Sequence, residues 1–129
     1  LATVEAAYLM EQGLVTIQQG EEMLTPEKYC ARIQDSDPEL DKKITVYRHL
    51  RELQYIPKTG YKFGHHFRVY SGRKIHSEML VQAIGRGETL PMNSISRSVR
   101  MAHSVKKKML FAGIHDEGIV FTEFARIKL

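Results

Sequence analysis

The chain is 129 residues long, 43% hydrophobic and 26% charged, which is enough for one domain, or one domain plus a small lobe, around its own core. No apolar run approaches a membrane span and no start resembles a secretory signal, so no membrane partner is expected and the expected compartment is the cytoplasm. Nineteen Lys and Arg against fifteen Asp and Glu favour a polyanionic partner, and the single cysteine, Cys30, excludes an intrachain disulfide and reads as a helix-core thiol.

The chain begins at Leu1 without a methionine and enters a helix almost at once, as a fragment or a processed chain would. Thr3 can cap a helix carrying Val4, Ala7 and Tyr8 on one face, and Gly13 stops it. Leu14 to Gln18 alternates as a short strand, with Gln19-Gly20 as the turn. Thr25-Pro26-Glu27 is a cap with proline at the first helical position, and this helix runs through Tyr29 and Ile33. Asp37-Pro38 opens a second, whose Leu40, Ile44, Tyr47, Leu50 and Leu53 form a 3.6-residue stripe. Tyr47 belongs to that stripe as core, and His49 reads as a solvated helix residue.

From Tyr55 the period becomes two. Pro57 to Gly60 reads as a bend and Tyr61 to Tyr70 as a strand interrupted by Gly64, with Ser71 to Lys74 as the turn. After His76, apolar residues on both faces of Met79 to Ile84 predict a largely buried strand. Gly85 to Leu90 is a loop, and Pro91 with Asn93 or Ser94 starts a helix with Ile95, Val99, Ala102 and Val105 on its apolar side. Arg97, Arg100, Ser104 and Lys107 follow 3, 4 and 3 down another face, a ladder rich in cations. From Arg86 to Lys108 the cations Arg86, Arg97, Arg100, Lys106, Lys107 and Lys108 face one acid, Glu88. Met109 to Ile114 and Ile119 to Ile127 form a hairpin around His115-Asp116-Glu117-Gly118.

RNA can be cleaved without a metal if a base takes the 2′-hydroxyl proton, an acid protonates the departing 5′-oxygen, and a cation steadies the charge on phosphorus. Histidine suits the acid. Tyrosine is a weak base at its free pKa near 10, but a nearby cation favours the phenolate, so one lysine can serve twice. Taken singly, a strand-end tyrosine, a strand-opening histidine and a lysine run are ordinary packing, turn and surface residues.

Their order is not ordinary. Val46-Tyr47-Arg48-His49-Leu50-Arg51, Lys58-Thr59-Gly60-Tyr61-Lys62-Phe63-Gly64 with Phe67-Arg68-Val69-Tyr70, His76-Ser77-Glu78-Met79-Leu80-Val81, and Ser96 to Lys108 with its Ala102-His103-Ser104-Val105-Lys106-Lys107-Lys108 end resemble the tRNA-intron endonucleases. Val4 to Leu9 resembles the helix that closes that family's N-terminal lobe. The resemblance implies an α/β (α+β) fold: a mixed β-sheet, nuclease-like catalytic domain with flanking helices over residues 37–129. Residues 1–36 would be the C-terminal part of a truncated N-terminal lobe of helix and short strand.

It further implies Tyr70 as general base, His76 as general acid and Lys107 as transition-state stabiliser. The second position after Ser104-Val105 selects Lys107 from the three lysines. Cleavage would leave a 2′,3′-cyclic phosphate and a 5′-hydroxyl, with no cofactor and no metal. The implied substrate is precursor tRNA folded as a bulge-helix-bulge at its exon-intron junctions, with a flipped base held between Arg100 and Arg126. Assembly would pair the strand from Val120 to Leu129 and dock Asp116 and Glu117 into a neighbouring unit. The result would be a homo-oligomer, or a complex with a structural subunit or a fused pseudo-catalytic unit. His65-His66 stands where the family more often has a small residue followed by an acid; adjacent strand residues face opposite ways and cannot readily share an ion. A non-catalytic structural or RNA-binding subunit of the same complex is the alternative reading. A metal-dependent DNA nuclease would need clustered carboxylates, and residues 58–84 contain only Glu78.

Overall fold

A computed structural model describes residues 3–59, 66–71 and 79–125. The chain divides into two compact units, Leu1–Arg48 and His49–Leu129.

The first unit holds α1 (Thr3–Glu11), β1 (Ile17–Gln19), β2 (Glu22–Leu24), α2 (Pro26–Gln34) and most of α3 (Leu40–Glu52). Its core gathers Val4, Ala7, Met10, Leu40, Ile44 and Val46, and Tyr8 meets Tyr47 edge-on with ring centroids 5.4 Å apart. Tyr47 is thus core, as its stripe predicts. Gly13 ends α1 at φ +72°. Its N–H donates to the Met10 carbonyl, and that of Leu14 to the Leu9 carbonyl, which closes the last turn. The expected single strand over 14–18 is instead a short antiparallel hairpin, with Ile17 opposite Leu24; the three residues of β2 are too few for a period to be read.

Thr25 caps α2 through Oγ1, which accepts the Lys28 N–H at 3.2 Å, and Pro26 follows at the first helical position. No residue of α2 is fully buried, so Cys30 is a half-buried thiol rather than a core one. Arg48 binds Glu11 with two hydrogen bonds, at 3.1 and 2.8 Å.

The second unit carries a five-stranded sheet in the order β3 (Tyr55–Thr59), β4 (Phe67–Ser71), β5 (Met79–Ile84), β6 (Lys108–His115), β7 (Gly118–Phe124). All neighbours are antiparallel except β5 and β6, which run parallel and are joined through α4 (Met92–Ser104). This is the mixed sheet with flanking helices expected from the sequence. The bend expected over Pro57 to Gly60 is instead strand as far as Thr59. Among the described strands β3 lies at the edge of the sheet, where proline is tolerated because it need not donate to a second neighbour.

Part of one sheet face, over β5 and β6, is covered by α4. Ala102 packs with Leu80, Met109 and Phe111, and Ile84, Leu90, Ile95 and Val105 close around them. On the other face, Phe67, Val69, Val81 and Ala112 are fully buried, and the His49 ring stacks on Phe121 with centroids 5.8 Å apart. His49 is therefore a packed residue rather than a solvated one; the partner that holds it lies 72 positions further along the chain. Among the described residues, no helix is long and apolar enough to cross a membrane.

Candidate functional site

Three strand registers meet in one row. Val69 of β4 pairs with Met79 of β5, and Met79 pairs with Lys108 of β6. Tyr70 lies one residue beyond that row on β4, and Lys107 one residue beyond it just ahead of β6. Two interstrand spacings of about 4.8 Å separate their backbones, roughly 10 Å in all, and two long side chains can converge across that gap. Pleating sets the faces. Val69 and Met79 share one face, and Tyr70 points with Arg68, Leu80 and Met109 to the face that α4 covers in part. Continued one residue back from β6, the same alternation puts Lys107 on the Tyr70 face and Lys108 on the other.

The way α4 ends is what sets this register. The helix stops at Ser104, so Lys107 lies beyond the helical ladder of cations on which its spacing places it. Lys106 takes a left-handed conformation at φ +58°. Its N–H donates to the His103 carbonyl at 3.1 Å, and the Lys107 N–H donates to the Ala102 carbonyl at 2.9 Å. Gly13 makes the same closure on α1, but here a lysine occupies the glycine position. Lys107 leaves this turn beside a cleft of about 180 Å³ lined by Val99, Ala102, His103 and Met109, with the Lys108 and Glu123 residues at its rim.

Tyr70 is half-exposed near the end of β4, beside Ile56 of β3. His76 lies outside the described residues; it belongs to the connection from β4 to β5. Arg100 is exposed on α4, seven residues before Lys107, and Arg126 lies outside the described residues. Asp116 and Glu117 form the exposed β6–β7 tip, where Asp116 faces Arg86 at 3.4 Å.

Of the histidine pair, His65 is outside the described residues. The His66 ring is committed to the sheet through Nδ1, which accepts the Ala83 N–H at 3.0 Å, and the His66 backbone N–H donates to Gln82 Oε1 at 3.2 Å. Among the described residues, no three His, Cys, Asp or Glu gather as metal ligands. Sequence reasoning passed over Lys58 and Arg68, which share the Tyr70 face; the alternation of Arg68 with Tyr70 was the available signal.

Residues 40–121 match the family described as tRNA intron endonuclease, catalytic C-terminal domain, and residues 1–30 match the corresponding N-terminal domain. The chain is 37% identical over 135 residues to a tRNA-splicing endonuclease of Methanococcoides burtonii, covering all of this chain and 38% of that protein. To the tRNA-splicing endonuclease of Thermococcus kodakarensis it is 39% identical over 121 residues, 93% of this chain and 72% of the other. To that of Pyrococcus furiosus it is 37% identical over 120 residues, 93% and 71% respectively. The chain thus spans well under half of one relative and about seven tenths of the other two. With both domains matched in order and the catalytic match covering most of the chain, this protein belongs to the tRNA intron endonuclease family.

Proposed function

We propose that the chain is a catalytic unit that cleaves precursor tRNA at bulge-helix-bulge junctions without a metal, leaving a 2′,3′-cyclic phosphate and a 5′-hydroxyl. The register that puts Tyr70 near the end of β4, begins β6 after Lys107 and runs the connection bearing His76 from β4 to β5 carries the reading. Tyr70 takes the 2′-hydroxyl proton, the 2′-oxygen attacks phosphorus, and His76 protonates the departing 5′-oxygen. The Lys107 ammonium offsets the charge that builds on the phosphoryl oxygens in between.

Arg100, exposed on α4, is one jaw of a clamp on the flipped bulge base, and Arg126 is the other. The proposed catalytic domain spans 37–129, and residues 1–36 close an N-terminal lobe. Assembly proceeds through the strand from Val120 to Leu129, with Asp116 and Glu117 docking into a neighbouring unit. Two observations support that assembly: β7 is an edge strand, and it exposes Val120 and Phe124.

The test is cleavage of an intron-containing tRNA precursor in excess chelator, with the fragment ends identified. Cyclic phosphate and 5′-hydroxyl ends, lost in His76→Ala while RNA binding persists, are expected. Cleavage that stops in chelator, or 3′-hydroxyl ends, would overturn the reading.

A further inference from the structure

The β3–β4 hairpin presents a second feature on the Tyr70 face. Lys58 pairs with Arg68 and Ile56 with Tyr70, so these four side chains share one side of the hairpin. No residue of β3 or β4 joins the cluster beneath α4, and Lys58 and Ile56 are exposed while Arg68 and Tyr70 are half-exposed. Arg68 donates Nε–H to the Thr59 carbonyl at 3.0 Å, which fixes the plane of its guanidinium and, among the described residues, leaves the Nη donors for another acceptor. The described residues of β3, β4 and β5 contain no Asp or Glu, so no carboxylate on these strands competes for the two cations.

Arg68 stands two residues before Tyr70 on the same strand, roughly 7 Å away along the pleat. That step is comparable to the distance between neighbouring phosphates of a nucleic-acid strand. We infer that Lys58 and Arg68 grip the phosphates of the RNA strand that leads into the Tyr70 and Lys107 site, making the open face of the hairpin a backbone track. Arg68, held by Thr59, takes the phosphate next to the reacting one, and Lys58 adds a mobile point charge across the strand pair. The contacts position the strand and read no sequence. The inference rests on the proposed RNA reading and extends it to residues outside the catalytic trio.

The experiment measures binding of a labelled bulge-helix-bulge RNA, with a 2′-deoxy sugar at the cleavage position, as a function of salt. Lys58→Gln and Arg68→Gln are each expected to weaken binding roughly three- to fivefold near physiological salt, and to flatten the log–log salt slope by about 0.7 to 0.9. Lys28→Gln, a charge on the first unit, is expected to leave both unchanged. Arg68→Lys keeps the charge and should hold the slope, so it and Lys58→Gln carry the test if Arg68→Gln does not fold. Unchanged affinity and slope in Lys58→Gln with wild-type binding intact would overturn the track alone. Failure of the wild-type chain to bind this RNA, alone or with a partner unit, would overturn the functional reading as well.

Discussion

Replacing each of the three consecutive lysines by methionine separates their roles, because the fold turns them in different directions. In the proposed mechanism Lys107 sits on the Tyr70 face and its ammonium approaches a phosphoryl oxygen to about 4 Å. At an effective dielectric near 20 that contact is worth roughly 4 kcal/mol, so Lys107→Met should lower single-turnover cleavage by about a thousandfold. Lys108 points to the opposite face of β6. At about 10 Å through solvent its charge is worth roughly 0.4 kcal/mol, and Lys108→Met should cost no more than about twofold. Lys106, held in the left-handed turn, should likewise cost little in rate. The assay is single-turnover cleavage of an intron-containing precursor at saturating enzyme, with a partner unit supplied if the chain needs one. A loss in Lys108→Met equal to that in Lys107→Met would refute the face assignment and place the register one residue away.

Lys106→Gly should raise stability by about 0.5–1 kcal/mol and leave the rate unchanged, since it removes a left-handed cost of roughly 1–2 kcal/mol while loosening the unfolded chain; thermal unfolding reads this out, and a lower melting temperature would contradict it. His66→Ala strips the Ala83 N–H of its acceptor and should cost about 1–3 kcal/mol in urea unfolding, with part regained by His66→Asp. Leu80→Ala, at a fully buried position under α4, should cost about 2–5 kcal/mol. Burial, and next the Glu11 carboxylate, push the Cys30 thiol above its ordinary value. The folded chain therefore holds that proton more tightly than the unfolded chain, and this contribution is complete below the ordinary thiol range and lost as pH rises through the folded value. Urea stability should fall on the alkaline side of about pH 9, less steeply in Cys30→Ala, and identical slopes would refute the assignment.

Local signals agree with the structure where one residue type does one local job. Thr25-Pro26 starts α2, Gly13 ends α1, and the α3 stripe buries Leu40, Ile44, Tyr47 and Leu50. These outcomes depend on neighbours within a turn or two, which the sequence displays side by side. Sequence and structure part where a distant partner decides: strand through Pro57 requires β4 beside it, and a packed His49 requires Phe121.

Family membership and the candidate residues Tyr70, His76 and Lys107 were legible in the order and spacing of motifs along the chain, with no coordinates needed. Composition and periodicity alone fell short of that, since each of the three residues has an ordinary reading. What only the tertiary structure decided is the geometry around Lys107. The end of α4 at Ser104, the left-handed Lys106 and the pairing of Val69, Met79 and Lys108 together select which lysine shares a face with Tyr70. The pairing of β3 with β4 also puts Lys58 and Arg68 on that face. A strand's side chains change face with every one-residue shift, so that choice belongs to the long-range register of the sheet.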